Sequence, residues 1–192
     1  MSPDPVDATK IPYVAAALKQ GSCTAAETKA IPKYLDDQLA DKNVDFTQED
    51  WAKAVSEDCA KCIFTERDAT SWGVIINDKS EFYAFNFGGC IQSLTGNEAC
   101  GQAVHQAMSC AEQACANCET TQELEACLAD RAVVEGPCSN AVAKIDAECD
   151  DSIGQTLRIC DGGGLETWIE YQCGSGPPKS DAGTRDAGGD GG

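Results

Sequence analysis

Thirteen cysteines, at positions 23, 59, 62, 90, 100, 110, 115, 118, 127, 138, 149, 160 and 173, constrain this chain more than any other feature. In a reducing compartment so many thiols would normally be there to hold metal, whereas in an oxidising one they pair into a covalent framework. The rest of the composition says why a framework is needed. Hydrophobic residues make up 42% of the chain, but only 5 Phe, 3 Trp and 4 Tyr are among them. Alanine and cysteine carry much of the apolar count, so helix contacts are expected to be close and the core thin, a situation that calls for staples. Six disulfides at about 2–4 kcal/mol each would together reach or exceed the net stability of about 5–15 kcal/mol usual for a folded domain.

Charge narrows the list of partners. The 14 basic residues face 32 acidic ones, for a net charge of −18. Such a field repels phosphate backbones and anionic membrane surfaces, and no Lys/Arg cluster offsets it, so nucleic acid is not expected as a partner. A cationic partner remains compatible with this surface, and a solvated acidic coat that keeps the protein soluble is the plainer reading. No segment is long and apolar enough to insert in a membrane. Residues 1–7 are polar and lack the basic start of a signal peptide. With the cysteine density, this predicts an extracytoplasmic protein, secreted or attached to the cell surface, whose signal peptide has been removed.

Along the chain the pattern predicts a mainly α, disulfide-rich fold, a small helical bundle with one β-hairpin around residues 72–87. Residues 1–22 read as a loosely structured N-terminal segment, 23–173 as a disulfide-stapled helical domain, and 174–192 as a disordered Gly/Asp-rich spacer without aromatic or branched aliphatic residues. From Cys23 to Ala40 the residues favour helix, with Pro32 expected to set the start. Asp41, Asn43, Asp45, Thr47 and Glu49 alternate as in a calcium loop, but Phe46 and Ala52 stand where that loop needs Gly and Glu. Thr47 reads better as the N-cap of a helix running to about Cys59, with Phe46 packed on Trp51.

The runs Trp72–Ile76 and Glu81–Phe87, joined by Asn77–Ser80, give the hairpin. Tyr83, Phe85 and Phe87 then share a face, read first as cover for a helix layer and second as a ligand groove. Gly88-Gly89 is expected to end the hairpin. In 97–118, Cys100, Ala103, Val104, Ala107, Ala111, Ala114, Cys115 and Cys118 fall on one helical stripe. Thr120-Thr-Gln-Glu123 is a capping box for a further helix with Leu124, Cys127 and Leu128 inward, stopped by Gly136-Pro137. Cys138, Val142, Ile145 and Cys149 mark the next helix, Ile153, Leu157 and Cys160 a short one, and Leu165, Trp168, Ile169 and Cys173 a last turn beyond the Gly162–Gly164 break.

Cysteines near helix ends predict inter-helix ties. Cys23 lies 36 residues from its nearest neighbour in sequence and is expected to be unpaired. The twelve others, Cys59, Cys62, Cys90, Cys100, Cys110, Cys115, Cys118, Cys127, Cys138, Cys149, Cys160 and Cys173, then form six bridges of open connectivity. Three other readings compete. Cys59, Cys62, Cys115 and Cys118 have the C-x-x-C spacing of a four-thiolate zinc site. Helix-borne cysteines can bind Cu(I), as in the helical copper storage proteins that Cys110-x4-Cys115-x2-Cys118 resembles. Either C-x-x-C is also the spacing of a redox pair. Among catalytic groups, His105 and Ser109 stand at i and i+4, but a nucleophile and base also need an orienting group and an oxyanion site. No cofactor and no enzymatic activity are expected.

Cys59-x-x-Cys62-Ile-Phe, Trp72-Gly, an aromatic strand ending in Gly-Gly-Cys90, then Cys100 and Cys110-x4-Cys115-x2-Cys118 resemble a group of cysteine-rich exported proteins of myxobacteria, over about residues 23–173. The Asp-Ala-Gly tail is similar to the spacers of that group. Other members carry extra cysteines between the positions of Cys23 and Cys59, which would leave Cys23 here without a partner. The resemblance implies export and disulfides and brings no biochemical activity. The expectation is thus a non-enzymatic binding or scaffold module for an unknown protein or surface ligand, with a thiolate metal-binding protein next and a C-x-x-C redox enzyme third.

Overall fold

A computed structural model describes residues 6–40, 50, 52–78, 81–130, 133 and 135–176. The calcium-like spacing, the Thr47 cap, the Phe46–Trp51 staple, Lys79-Ser80 of the hairpin turn and residues 177–192 of the spacer lie outside the described residues. The fold is mainly helical with a small sheet, as the pattern predicts. Its helices are α1 (Glu27–Ala40), α2 (Glu57–Ile63), α3 (Phe87–Thr95), α4 (Glu98–Ala114), α5 (Thr121–Leu128), α6 (Ser139–Glu148) and α7 (Ile153–Gln172). Its strands are β1 (Phe64–Glu66), β2 (Ile75–Asp78) and β3 (Glu81–Phe85).

Local chemistry sets the helix ends. Thr24 and Glu27 form a reciprocal cap: the Glu27 carboxylate accepts from the Thr24 backbone N–H (2.8 Å), while the Glu27 N–H donates to Thr24 Oγ1 (3.3 Å). This cap starts α1 well before Pro32, which sits inside the helix, so Pro32 does not mark its start. The expected run from Thr47 to Cys59 is interrupted at residues 53–56, and α2 begins after Ser56. The Thr120–Glu123 capping box is formed in full. Leu124 and Cys127 pack inward from α5, but Leu128 is exposed, and α5 ends at Leu128, ahead of Gly136-Pro137.

The hairpin is present as β2 against antiparallel β3, with Ile75 opposite Phe85 and Ile76 opposite Ala84. Two features depart from expectation. Phe64–Glu66, directly after α2, adds a third strand parallel to β2. Trp72 lies outside the hairpin and instead bridges Ala16. Gly73 explains the shift, because a Cβ there would sit 2.3 Å from the Cys62 carbonyl, so the backbone lies directly on the end of α2. Gly88 and Gly89 belong to the first turn of α3 rather than to the hairpin's end. A Cβ on Gly88 would meet the Gly101 carbonyl at 2.6 Å, and one on Gly101 would meet that of Gly88 at the same distance. The pair lets α3 and α4 cross at backbone contact. Buried Asn86 joins the parts: its Oδ1 caps α3 at the Gly89 N–H, and its Nδ2 donates to the Gly73 carbonyl.

The two short C-terminal helices expected on either side of Gly162–Gly164 run as one element, α7, kinked where Gly164 adopts φ 56°. The Trp168 indole N–H donates to the Cys160 carbonyl (2.7 Å) and ties the two halves across that kink. Residues 6–22 carry little regular structure and are docked on the body of the fold. Ile11, Ala16 and Ala17 are buried, and the Gln92 side-chain carbonyl accepts from the Ala16 N–H (2.8 Å) and the Tyr13 hydroxyl (2.9 Å).

Candidate functional site

The cysteine framework decides which chemistry the cysteines can supply. Six bridges form: Cys23–Cys59, Cys62–Cys173, Cys90–Cys160, Cys100–Cys149, Cys110–Cys138 and Cys115–Cys127. Cys23 is therefore paired, against expectation, and the free thiol is the half-buried Cys118. The reason is spatial: the turn before α1 lies across α2, and isolation along the chain did not carry over into space. Cys118 follows the end of α4, and Cys115, its C-x-x-C companion, bonds to Cys127 on α5. Cys59 and Cys62 likewise take different partners.

Neither C-x-x-C closes on itself as a redox pair. The proposed zinc set is also not assembled, since Cys59 and Cys62 lie in one core cluster and Cys115 and Cys118 in another. Among the described residues no three His, Cys, Asp or Glu side chains converge in a metal-holding arrangement. The ties run between elements. Cys138 and Cys149, at the two ends of α6, hold it antiparallel against Cys110 and Cys100 of α4. The bridges place this fold in an oxidising environment. Among the described residues no helix is long and apolar enough to cross a membrane.

With twelve of the cysteines committed to structure, a groove of about 310 Å³ among the described residues lies between β3, α4 and α7. Ala84 and Phe85 of β3, Phe87 at the start of α3, Met108, Ser109 and Glu112 of α4, and Trp168 of α7 line it. Trp168 stands edge-to-face with both phenylalanines, at ring-centroid distances of 5.4 Å to Phe85 (66° between planes) and 5.7 Å to Phe87 (87°). Phe85 is 38% and Met108 39% exposed, while Phe87 is buried in the core beneath. Of the aromatic face read from the sequence, Phe87 packs in the helix layer and forms the floor of the groove, Phe85 lines its open side, and the Tyr83 side chain lies outside the described residues. Trp168 escaped that reading because it reaches the strand from a helix more than 80 positions away.

The polar edge of the groove comes from one face of α4, where His105, Ser109 and Glu112 follow at i, i+4 and i+7. His105 is buried between the rings of Tyr13 (5.3 Å) and Trp72 (5.6 Å), and it donates a hydrogen bond to the Pro12 carbonyl. Burial lowers its pKa, so the ring is held neutral. Glu112 is open to solvent at the groove mouth, yet the protein around its carboxylate raises its pKa. A second hollow of about 230 Å³ adjoins the groove past His105 and reaches Ile11, Pro12 and Trp72. Chemically, this arrangement can hold an apolar group against three rings while a carboxylate and a hydroxyl meet its polar end. In comparisons with protein-family models, curated proteins and solved structures, nothing matches this chain.

Proposed function

We propose that the protein is a secreted or surface-attached, non-enzymatic binding module whose cross-linked body holds the β3–α4–α7 groove open for an apolar group of its ligand. The observation that carries this reading is the exposed Phe85 and Met108 beside Trp168 in a chain with few aromatic residues. Burying these side chains elsewhere would have added to a thin core, so their exposure favours a role in recognition. Disulfides support a location outside the cytoplasm and a site that keeps its shape before the ligand arrives, which lowers the ordering entropy lost on binding. The bonded, neutral His105 is engaged with Tyr13, Trp72 and Pro12 as a packing residue, which fits a non-catalytic edge.

A titration of the oxidised protein with small aromatic and aliphatic fragments, followed by amide and indole NMR shifts, tests the reading. Shifts that centre on Phe85, Met108 and Trp168 and vanish in Trp168→Ala are expected. Uniform or absent shifts would overturn it, as would turnover of ester, peptide or glycoside substrates abolished by His105→Ala.

A further inference from the structure

We propose that Cys118 is the attacking thiol of a built-in disulfide-exchange site, where it displaces Cys127 from Cys115 and so releases α5 from the end of α4. This goes beyond the groove and does not rest on it. Three observations converge on the region after α4.

The first is proximity. Cys118 is not an isolated thiol, for it packs into the core cluster that holds the Cys115–Cys127 bridge. Its backbone N–H donates to the Cys115 carbonyl (3.1 Å), closing a four-residue turn. Such a turn brings its first and last Cα atoms within about 7 Å of each other, and bridged cysteines stand about 4.4–6.8 Å apart. A Cys115–Cys118 bond therefore asks only for a local adjustment of the turn. Cys115 is 2% exposed, so its sulfur is screened from thiols arriving through solvent, whereas Cys118 approaches from within the cluster.

The second is how α5 is held. Cys127 is its only cysteine, so Cys115–Cys127 is its one covalent tie to the body, whereas α6 is bridged at both ends. Every described side chain of α5 is exposed or half-buried, and Leu124 and Cys127 are the ones that pack on the cluster. Its side-chain hydrogen bonds among the described residues are those of the Thr120–Glu123 cap. So short a helix with so little burial does not persist on propensity, and the bridge keeps it docked.

The third is chemical balance. Attack of the Cys118 thiolate on Cys115 Sγ forms the Cys115–Cys118 bond and breaks Cys115–Cys127. The bonding electron pair leaves on Cys127 Sγ, which takes a proton from water in place of the one Cys118 gave up. One bond replaces another and one thiol remains, so neither oxidant nor reductant is consumed. The tie of sequence separation 12 gives way to one within a single turn, and the free thiol moves onto α5. Docking of Leu124 and Cys127 holds the equilibrium at the observed pairing, and whatever draws α5 away shifts it to the other.

The experiment maps the free thiol in the full oxidised chain. One sample is kept at about pH 5, where thiolate is scarce, and alkylated with N-ethylmaleimide; another is first held at about pH 8.5 and then returned to acid for alkylation. Both are digested without reduction and mapped by mass spectrometry. Label on Cys118 alone is expected in the acid sample. The alkaline hold should add a second product, labelled on Cys127 and bridged between Cys115 and Cys118. Its rate of appearance should rise about tenfold per pH unit while thiolate remains the minor form. Leu124→Ala, which loosens α5 without touching a cysteine, should raise the Cys127-labelled fraction several-fold, up to about tenfold. Cys127→Ser should close Cys115 on Cys118 and leave no free thiol, and the wild-type map decides even if that variant fails to fold. Label confined to Cys118 after the alkaline hold overturns the proposal, as does a folded Cys127→Ser with Cys115 and Cys118 both free. Label on Cys115 overturns the release of α5, because the new bridge would then be Cys118–Cys127 and would keep the helix tied. Label spread over the other five bridges overturns a local exchange in favour of general scrambling.

Discussion

Around the sheet and the ends of α1, α2 and α7, the core is built from Ile31, Ile63, Phe64, Val74, Ile75 and Ile169, and Cys23–Cys59 and Cys62–Cys173 enter it with sequence separations of 36 and 111. Between α4, α5 and α6, the buried residues are mostly small: Ala8, Ala114 and Ala141 with Ile11, Val133 and three cysteines. There the bridges Cys110–Cys138 and Cys115–Cys127 have separations of 28 and 12. The same bond serves two purposes. In the first region branched side chains already supply burial, and the bridges chiefly restrict the unfolded chain by closing long loops. In the second, sulfur atoms themselves occupy much of the space where larger apolar side chains would otherwise stand, and the short loops add less.

That contrast ranks the bridges. Removing Cys62–Cys173 by double substitution to Ala should lower unfolding stability by about 4–5 kcal/mol on the loop-closure model, against about 3 kcal/mol for Cys115–Cys127. Urea titrations of the two variants make the comparison, after confirming that the denatured, unreduced wild type exposes one thiol, that of Cys118. A larger loss from the short-loop bridge would show that sulfur packing outweighs loop closure and would break the distinction.

Core substitutions sharpen it. Ile169→Ala, fully buried in the aliphatic cluster, should destabilise by about 3 kcal/mol through lost transfer and a cavity. Ala141→Gly, buried in the thin cluster, should lose only about 1 kcal/mol, mostly helix propensity. Equal losses in denaturant melts would mean that both regions pack alike.

The smallest effect separates the regions by pH. Glu27 accepts hydrogen bonds from the Ser56 and Thr24 backbone N–H groups, and its pKa falls to about 2, chiefly through its bonds to Ser56 and Thr24. A carboxylate depressed on folding contributes stability that is fully present above its unfolded pKa of about 4.5 and is lost as pH falls towards 2. Glu112 on α4 has the opposite sign: its raised pKa favours the protonated form in the folded state, so its contribution is lost as pH rises. Unfolding midpoints between pH 5 and 2 should therefore drop less in Glu27→Gln than in wild type. Glu112→Gln should instead raise the midpoint slightly at pH 7. Parallel profiles for both variants would erase the electrostatic difference.

What could be read in advance follows the range of the interactions concerned. The Thr120–Glu123 capping box, the α4 stripe from Cys100 to Ala114 and the β2–β3 hairpin each depend on residues within a few turns of one another. The third strand was missed because Phe64–Glu66 is three residues long and is held by a partner across an eight-residue connection. The continuity of α7 was missed because Gly162–Gly164 reads as a break, whereas in the fold only Gly164 leaves helical geometry and Trp168 spans it. Of the candidate site, Phe85 and Phe87 on one side and the His105–Ser109 spacing on α4 were visible in advance, whereas the approach of Trp168 from α7 was not.

The sequence by itself determined that the chain would be helical, acidic, thinly cored and dependent on its cysteines, because composition, periodicity and capping act locally. Only the tertiary structure decided which sulfur meets which. It gave Cys23 to Cys59, left Cys118 over, and set Trp168 and Glu112 around the aromatic strand. Each of those outcomes depends on the distance between segments remote along the chain, and backbone contacts at Gly73, Gly88 and Gly101 set how closely those segments pack.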